Sequence, residues 1–102
     1  QTYYNVVAIN SPKLALEYLG KHKPSLILLD YQMPMYNGAS LLGMIRKNST
    51  TKNIPVIMIS GTLDKEALVE CLEHHPQKIL DKTIDQEELI ETIKKVLEIP
   101  LA

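Results

Sequence analysis

Three side chains of this sequence could together carry phosphoryl chemistry: Asp30, Ser60 thirty residues later, and Lys82 a further twenty-two on. Asp30 directly follows Leu26-Ile27-Leu28-Leu29 and leads into Tyr31-Gln32-Met33-Pro34-Met35-Tyr36-Asn37-Gly38, a loop punctuated by proline and glycine. A strand that apolar belongs in the middle of a parallel sheet. Its terminal carboxylate then stands on the carboxyl edge, where α/β proteins place their ligands. Ser60 ends the run Val56–Ile59 and Lys82 follows Lys78-Ile79-Leu80-Asp81, so both fall on the same rim. A carboxylate there can attack phosphorus and become an acyl phosphate. An ammonium and a hydroxyl can bind phosphoryl oxygens as charge builds on them. A divalent cation would normally offset repulsion between an anionic nucleophile and an anionic donor. Mg²⁺ suits carboxylate, carbonyl and water ligands.

The elements that must position this trio alternate strand and helix. Val6–Ile9 reads as a strand beginning at Tyr3 or Tyr4, and Ser11-Pro12 starts a helix, serine as N-cap and proline at the first helical position. Leu14, Ala15, Tyr18 and Leu19 form its apolar stripe and Gly20 ends it. Leu26–Leu29 is the second strand; Gly38 leads into a helix with Leu41, Leu42 and Ile45 on one side, ending near Lys47. After a polar loop over 48–53, Val56–Ile59 is the third strand, and Asp64 caps a helix with Ala67, Leu68, Cys71 and Leu72 inward. Lys78–Asp81 is a short fourth strand, and Asp85 and Glu88 resemble a capping box. The last helix buries Leu89, Ile93, Val96 and Leu97 and stops before Pro100. This order predicts one α/β domain over residues 1–102: a parallel sheet, right-handed crossovers, helices on both faces.

Composition narrows the function. A chain of 102 residues makes one domain, and 45% hydrophobic residues supply a core. With 11 basic against 12 acidic residues there is no nucleic-acid footprint. One cysteine, Cys71, excludes an internal disulfide and fits a reducing compartment. Apolar runs of four residues are far short of a membrane span. Gln1-Thr2-Tyr3-Tyr4-Asn5 lacks the regions of a signal peptide, and the absence of an initiator Met is read as residues missing before Gln1.

The three segments together resemble the receiver domain of two-component response regulators. Leu28 to Gly38 is similar to the loop around that family's phosphoacceptor aspartate, Pro55 to Gly61 to the strand ending in its switch Ser or Thr, and Leu80-Asp81-Lys82 to the segment holding its lysine. The resemblance covers almost the whole chain and implies a flavodoxin-like fold. It also implies that Asp30 takes a phosphoryl group from a histidine kinase or phosphotransfer protein. By the same resemblance, Gln32 offers a backbone carbonyl to Mg²⁺, Ser60 follows the phosphoryl group, and Lys82 pairs with it. A cytoplasmic, bacterial switch follows, not a metabolic enzyme, with self-catalysed transfer and slow autodephosphorylation only. The last helix and the strand before it match the surface such domains commonly use for partners.

The pattern departs from the family at the front. Tyr3 to Leu19 matches a receiver's second strand and helix, so the first strand, with its two acids, and the first helix have no counterpart. Two consequences are expected: a gap in the sheet or direct pairing of Val6–Ile9 with Leu26–Leu29, and an uncovered sheet face that favours a homodimer, there or through the last helix. Mg²⁺ held by Asp30 and one carbonyl should bind weakly or not at all. N-terminal truncation is favoured over a swapped strand or a naturally degenerate receiver. Ile79 replaces the family's switch aromatic, and Thr83 its proline, so a trans Lys82–Thr83 bond is expected.

Blander readings compete. Asp30 alone could be a solvated strand end, Ser60-Gly61 a turn, and Lys82 a surface lysine; register among the three raises each. His74, His75 and Cys71 are read as a helix end and a core residue, not a metal site. The rivals are a pseudo-receiver that binds partners without phosphorylation and, poorly, an aspartyl phosphohydrolase, which would need an acid where Gln32 stands. A flavin protein would need a phosphate-cradling loop that Asn10-Ser11-Pro12 does not offer.

Overall fold

The computed structural model describes residues 4–33, 36–61 and 65–98. Strands β1 (Val6–Ile9), β2 (Leu26–Asp30), β5 (Val56–Ser60) and β6 (Lys78–Asp81) form one parallel sheet in the order β1-β2-β5-β6. Between them lie α1 (Pro12–Leu19), α2 (Gly38–Lys47) and α3 (Lys65–Glu73), and α4 (Gln86–Val96) follows β6. Two short strands not expected from the sequence, β3 (Gln32–Met33) and β4 (Tyr36–Asn37), pair antiparallel in the loop after Asp30. Val6 to Ile9 stand in register with Leu26 to Leu29, so β1 pairs directly with β2 and leaves no gap.

Each crossover steps in the same direction across the sheet. Right-handed connections therefore put α1, α2 and α3 on one face. Their core joins Ile9, Ile27, Leu29, Val56 and Met58 to Ala15, Leu41, Leu42, Ile45 and Cys71. Leu26 and Ile57 project to the other face by alternation and are fully buried; α4 is the helix left to cover them.

Local signals set most boundaries. The Ser11 hydroxyl caps α1, Pro12 stands at its first position, and Asn37 caps α2 by accepting from the Ser40 N–H at 2.8 Å. Gly20 closes α1 in the right-handed region, so it supplies no left-handed turn. Asp85 caps α4 through the Glu87 N–H. The caps expected of Asp64 and Pro100, the strand start at Tyr3, and the turn at Pro34 lie outside the described residues.

Helices α1 and α3 bury fewer of their apolar residues than the sequence pattern allows, and α4 keeps the expected face but covers it only in part. In α1, Ala15 turns inward and Leu14 is 56% exposed. In α3 only Cys71 is buried, while Leu68 and Leu72 lie at the surface. No residue of α4 is fully buried; Leu89, Ile93, Val96 and Leu97 are each partly covered. The reason is the same throughout: a helix seated on one sheet face with at most one neighbour on a side buries a narrower stripe than its apolar residues allow.

Candidate functional site

The rim is built from backbone pairing. Ile27 to Asp30 stand in register with Val56 to Ile59, and Ile57 to Ser60 with Lys78 to Asp81. The Tyr31 N–H extends the ladder to the Ile59 carbonyl at 2.9 Å, and the Lys82 N–H to the Ser60 carbonyl at 2.9 Å. The tips of β2, β5 and β6 are thus tied together just beyond their last strand residues.

Asp30 and Lys82 converge there. The Lys82 ammonium lies 3.2 Å from Asp30 Oδ2, and the Gln32 N–H donates to Oδ1 at 3.0 Å. Each carboxylate oxygen has one donor. The side chains are 20% and 50% exposed, so the pair opens to solvent from the lysine side. A cleft of about 210 Å³ opens over the pair, with Ala8, Leu28 and Ile59 as its apolar floor. A phosphoryl group fits within that space.

The turn after β6 aims the lysine. Asp81 accepts from both the N–H and the hydroxyl of Thr83 at 2.9 Å, and these bonds, the backbone one first, hold its carboxyl below the usual range. The peptide bonds here are trans, as expected for Lys82–Thr83. A hydrogen-bonded Asp-x-Thr turn thus stands where a proline turn was the alternative.

Ser60 sits one strand tip away from Asp30 and is buried. It stands in register with Asp81, and alternation along β5 turns its side chain toward the Met58 side; Asp30 stands level with Ile59. Gly61 passes close to both neighbours: a Cβ there would meet Gln32 Oε1 at 3.6 Å and Lys82 Cδ at 3.8 Å. Ile79 packs against the core from β6.

Two residues matter more than the sequence alone indicated. Gly38 runs hard against the floor of the site: a Cβ would lie 2.7 Å from the Asp30 carbonyl oxygen, 2.8 Å from Tyr31 Cα and 2.9 Å from Met58 Sδ. Its N–H donates to the Tyr31 carbonyl at 2.7 Å. Arg46 works at the opposite edge of the sheet. Its guanidinium donates to the carbonyls of His74, Lys52, Ile54 and His75 and to Gln77 Oε1, over 2.8–3.2 Å. Its partners are carbonyls, which every residue carries, so no sequence pattern marks them. Cys71 is buried, and its burial, with the nearby Glu70 charge, pushes the thiol up to about 11.

As a cation site the rim is thin. Asp30 supplies one carboxylate, and among the described residues no three His, Cys, Asp or Glu side chains gather. With one carboxylate and the Gln32 backbone carbonyl expected from the sequence, most of the six oxygen positions of Mg²⁺ would fall to water and a phosphoryl group, which makes for weak binding.

The model of the response regulator receiver domain family matches residues 1–94. The chain belongs to that family. The receiver domain is 33% identical over 96 residues to the two-component response regulator ORR7 of rice, covering 93% of this chain and 46% of that protein. It therefore spans about half the length of that relative. A two-component response regulator from Clostridium difficile superposes with a TM-score of 0.85 at 15% identity, over 94% of this chain and 97% of that one. The receiver domain of sensor histidine kinase PA1611 from Pseudomonas aeruginosa, with a magnesium ion in its active site cleft, gives 0.80 at 14% identity, over 94% and 99%. These likenesses establish the flavodoxin-like receiver fold. No helix among the described residues is long and apolar enough to cross a membrane.

Proposed function

We propose that this receiver domain accepts a phosphoryl group on Asp30 from a histidine kinase or phosphotransfer protein and thereby switches a partner surface. The observation that carries the reading is the Asp30–Lys82 pair, 3.2 Å apart over an open cleft on the carboxyl rim. An Asp30 oxygen attacks phosphorus; the bond from phosphorus to the donor's imidazole nitrogen breaks, and the nitrogen leaves with the electron pair. The product is an acyl phosphate. Lys82, its side chain half exposed, moves its ammonium from the carboxylate to the new phosphoryl oxygens. The Gln32 N–H stays on Asp30 Oδ1 and fixes the carboxylate plane. Ser60 on the neighbouring tip then follows the phosphoryl group and draws in the segment after Gly61. With Ile79 in place of an aromatic, the change travels through that segment and α3 rather than through a ring.

Family members generally bind Mg²⁺ at this acidic site, and PA1611 holds one. The residues described here do not complete such a site, which supports a second reading: a pseudo-receiver that binds partners without phosphate. Incubation with Mg²⁺ and acetyl phosphate, followed by intact mass, separates the two. A mass shift that Asp30→Asn abolishes supports the switch. No shift in the full-length protein supports the pseudo-receiver.

A further inference from the structure

The near-neutral total charge hides a strong separation. Residues 1–55 carry six basic and two acidic side chains, and residues 56–102 carry five basic and ten acidic. The basic half includes a groove. Between α1 and α2 an apolar hollow of about 170 Å³ is lined by Leu16, Leu19, Met44 and Ile45, with Leu16 60% exposed. It shares Leu19, Gly20 and Thr51 with a second hollow whose walls include Lys21, His22 and Lys23. The two hollows adjoin, one mainly apolar and the other with basic walls, and neither lining contains an acidic residue. The acidic half presents the complement. Helix α3 exposes Leu68, Val69 and Leu72, with exposed Lys65 one turn before them on the same stripe and Glu66 and Glu73 along one flank. It packs on the other side of α2, where His74 at its end lies against Gly43, so its outer stripe faces away from the groove of its own chain.

We propose that α3 of a second copy of this chain docks in the α1–α2 groove: its three apolar residues enter beside Leu16 and Met44, and Glu66 and Glu73 reach Lys21 and Lys23. The contact is head-to-tail, since groove and helix are different surfaces, so it builds short chains rather than a closed pair. Nine residues of helix against one groove fall well below the roughly 1,200 Å² of a stable interface. The association is therefore weak, and it is salt-dependent because its charges are exposed.

Sedimentation velocity on the intact protein, across concentration and ionic strength, tests this. The weight-average sedimentation coefficient should rise with concentration at low salt, and the association constant should fall about tenfold by 0.5 M salt, the effect expected of two or three screened ion pairs. Lys21→Glu/Lys23→Glu and, separately, Glu66→Lys/Glu73→Lys should each sediment as monomers, because groove and helix then carry like charge. Mixed, the two variants should associate as the unsubstituted protein does. Leu16→Ser, at an exposed position, should weaken association at all salt concentrations. Circular dichroism confirms that each variant is folded. A concentration-independent monomer up to millimolar protein would overturn the proposal. So would association that survives both charge reversals, or a mixture of the two variants that stays monomeric.

Discussion

Gly38→Ala sets local preference against tertiary packing, and the two predict opposite signs. By helix propensity alone, alanine for glycine in a helix stabilises by up to about 1 kcal/mol. Here the new methyl would sit 2.7 Å from the Asp30 carbonyl oxygen and 2.8 Å from Tyr31 Cα. Both are backbone atoms, held by the Gly38 N–H bond to Tyr31 and by the Tyr31 N–H bond to Ile59. Neither can swing aside as a side chain would. Overpacking of this kind costs about 1–3 kcal/mol. With the propensity gain set against it, a net loss of about 1 kcal/mol is expected. In a urea titration at neutral pH that lowers the midpoint by about 0.3–1 M with the slope unchanged. Because the displaced atoms belong to Asp30 and Tyr31, acetyl phosphate labelling should slow as well, even at urea-free stability. A midpoint equal to or above that of the unsubstituted protein would refute the packing argument, since propensity would then have won.

Arg46→Met removes five hydrogen bonds, two of them to partly buried carbonyls, and should cost about 3 kcal/mol in the same titration. Arg46→Lys should recover little of it, since an ammonium cannot span the four carbonyls. Lys82→Ala should change stability by less than about 1 kcal/mol, because the pair is solvent-exposed on the lysine side, yet should strongly reduce Asp30 labelling by intact mass. Burial, with the nearby Glu70 charge, raises the Cys71 thiol from its ordinary value near 9 to about 11, so between those pH values the folded state holds more protons than the unfolded state. The stability it lends is complete below pH 9 and is lost as pH rises toward 11, on the order of 2 kcal/mol. Urea midpoints at pH 8 and pH 10.5 should diverge less in Cys71→Ala than in the unsubstituted chain.

Strand existence and parallel pairing were legible because four short apolar runs separated by helical patterns admit few topologies, and capping residues such as Ser11 and Asp85 act within one turn of the chain. The charged pair was legible too, since strand ends in a parallel sheet share a rim whatever the loops do. Helix rotation was not: Leu14, Leu68 and Leu72 have apolar side chains at permitted spacings, and only the extent of the neighbouring layer decides which of them is covered.

Residue types and their intervals determined by themselves that Asp30, Ser60 and Lys82 would end neighbouring strands of a receiver-like sheet. Packing decided the rest: that β1 closes directly on β2, that Arg46 ties the far edge through carbonyls, and that position 38 has no room for a side chain. The first kind of fact rests on periodicity and short-range hydrogen bonds, which one segment carries alone. The second depends on distances between segments far apart in the chain, which exist only after the sheet has formed.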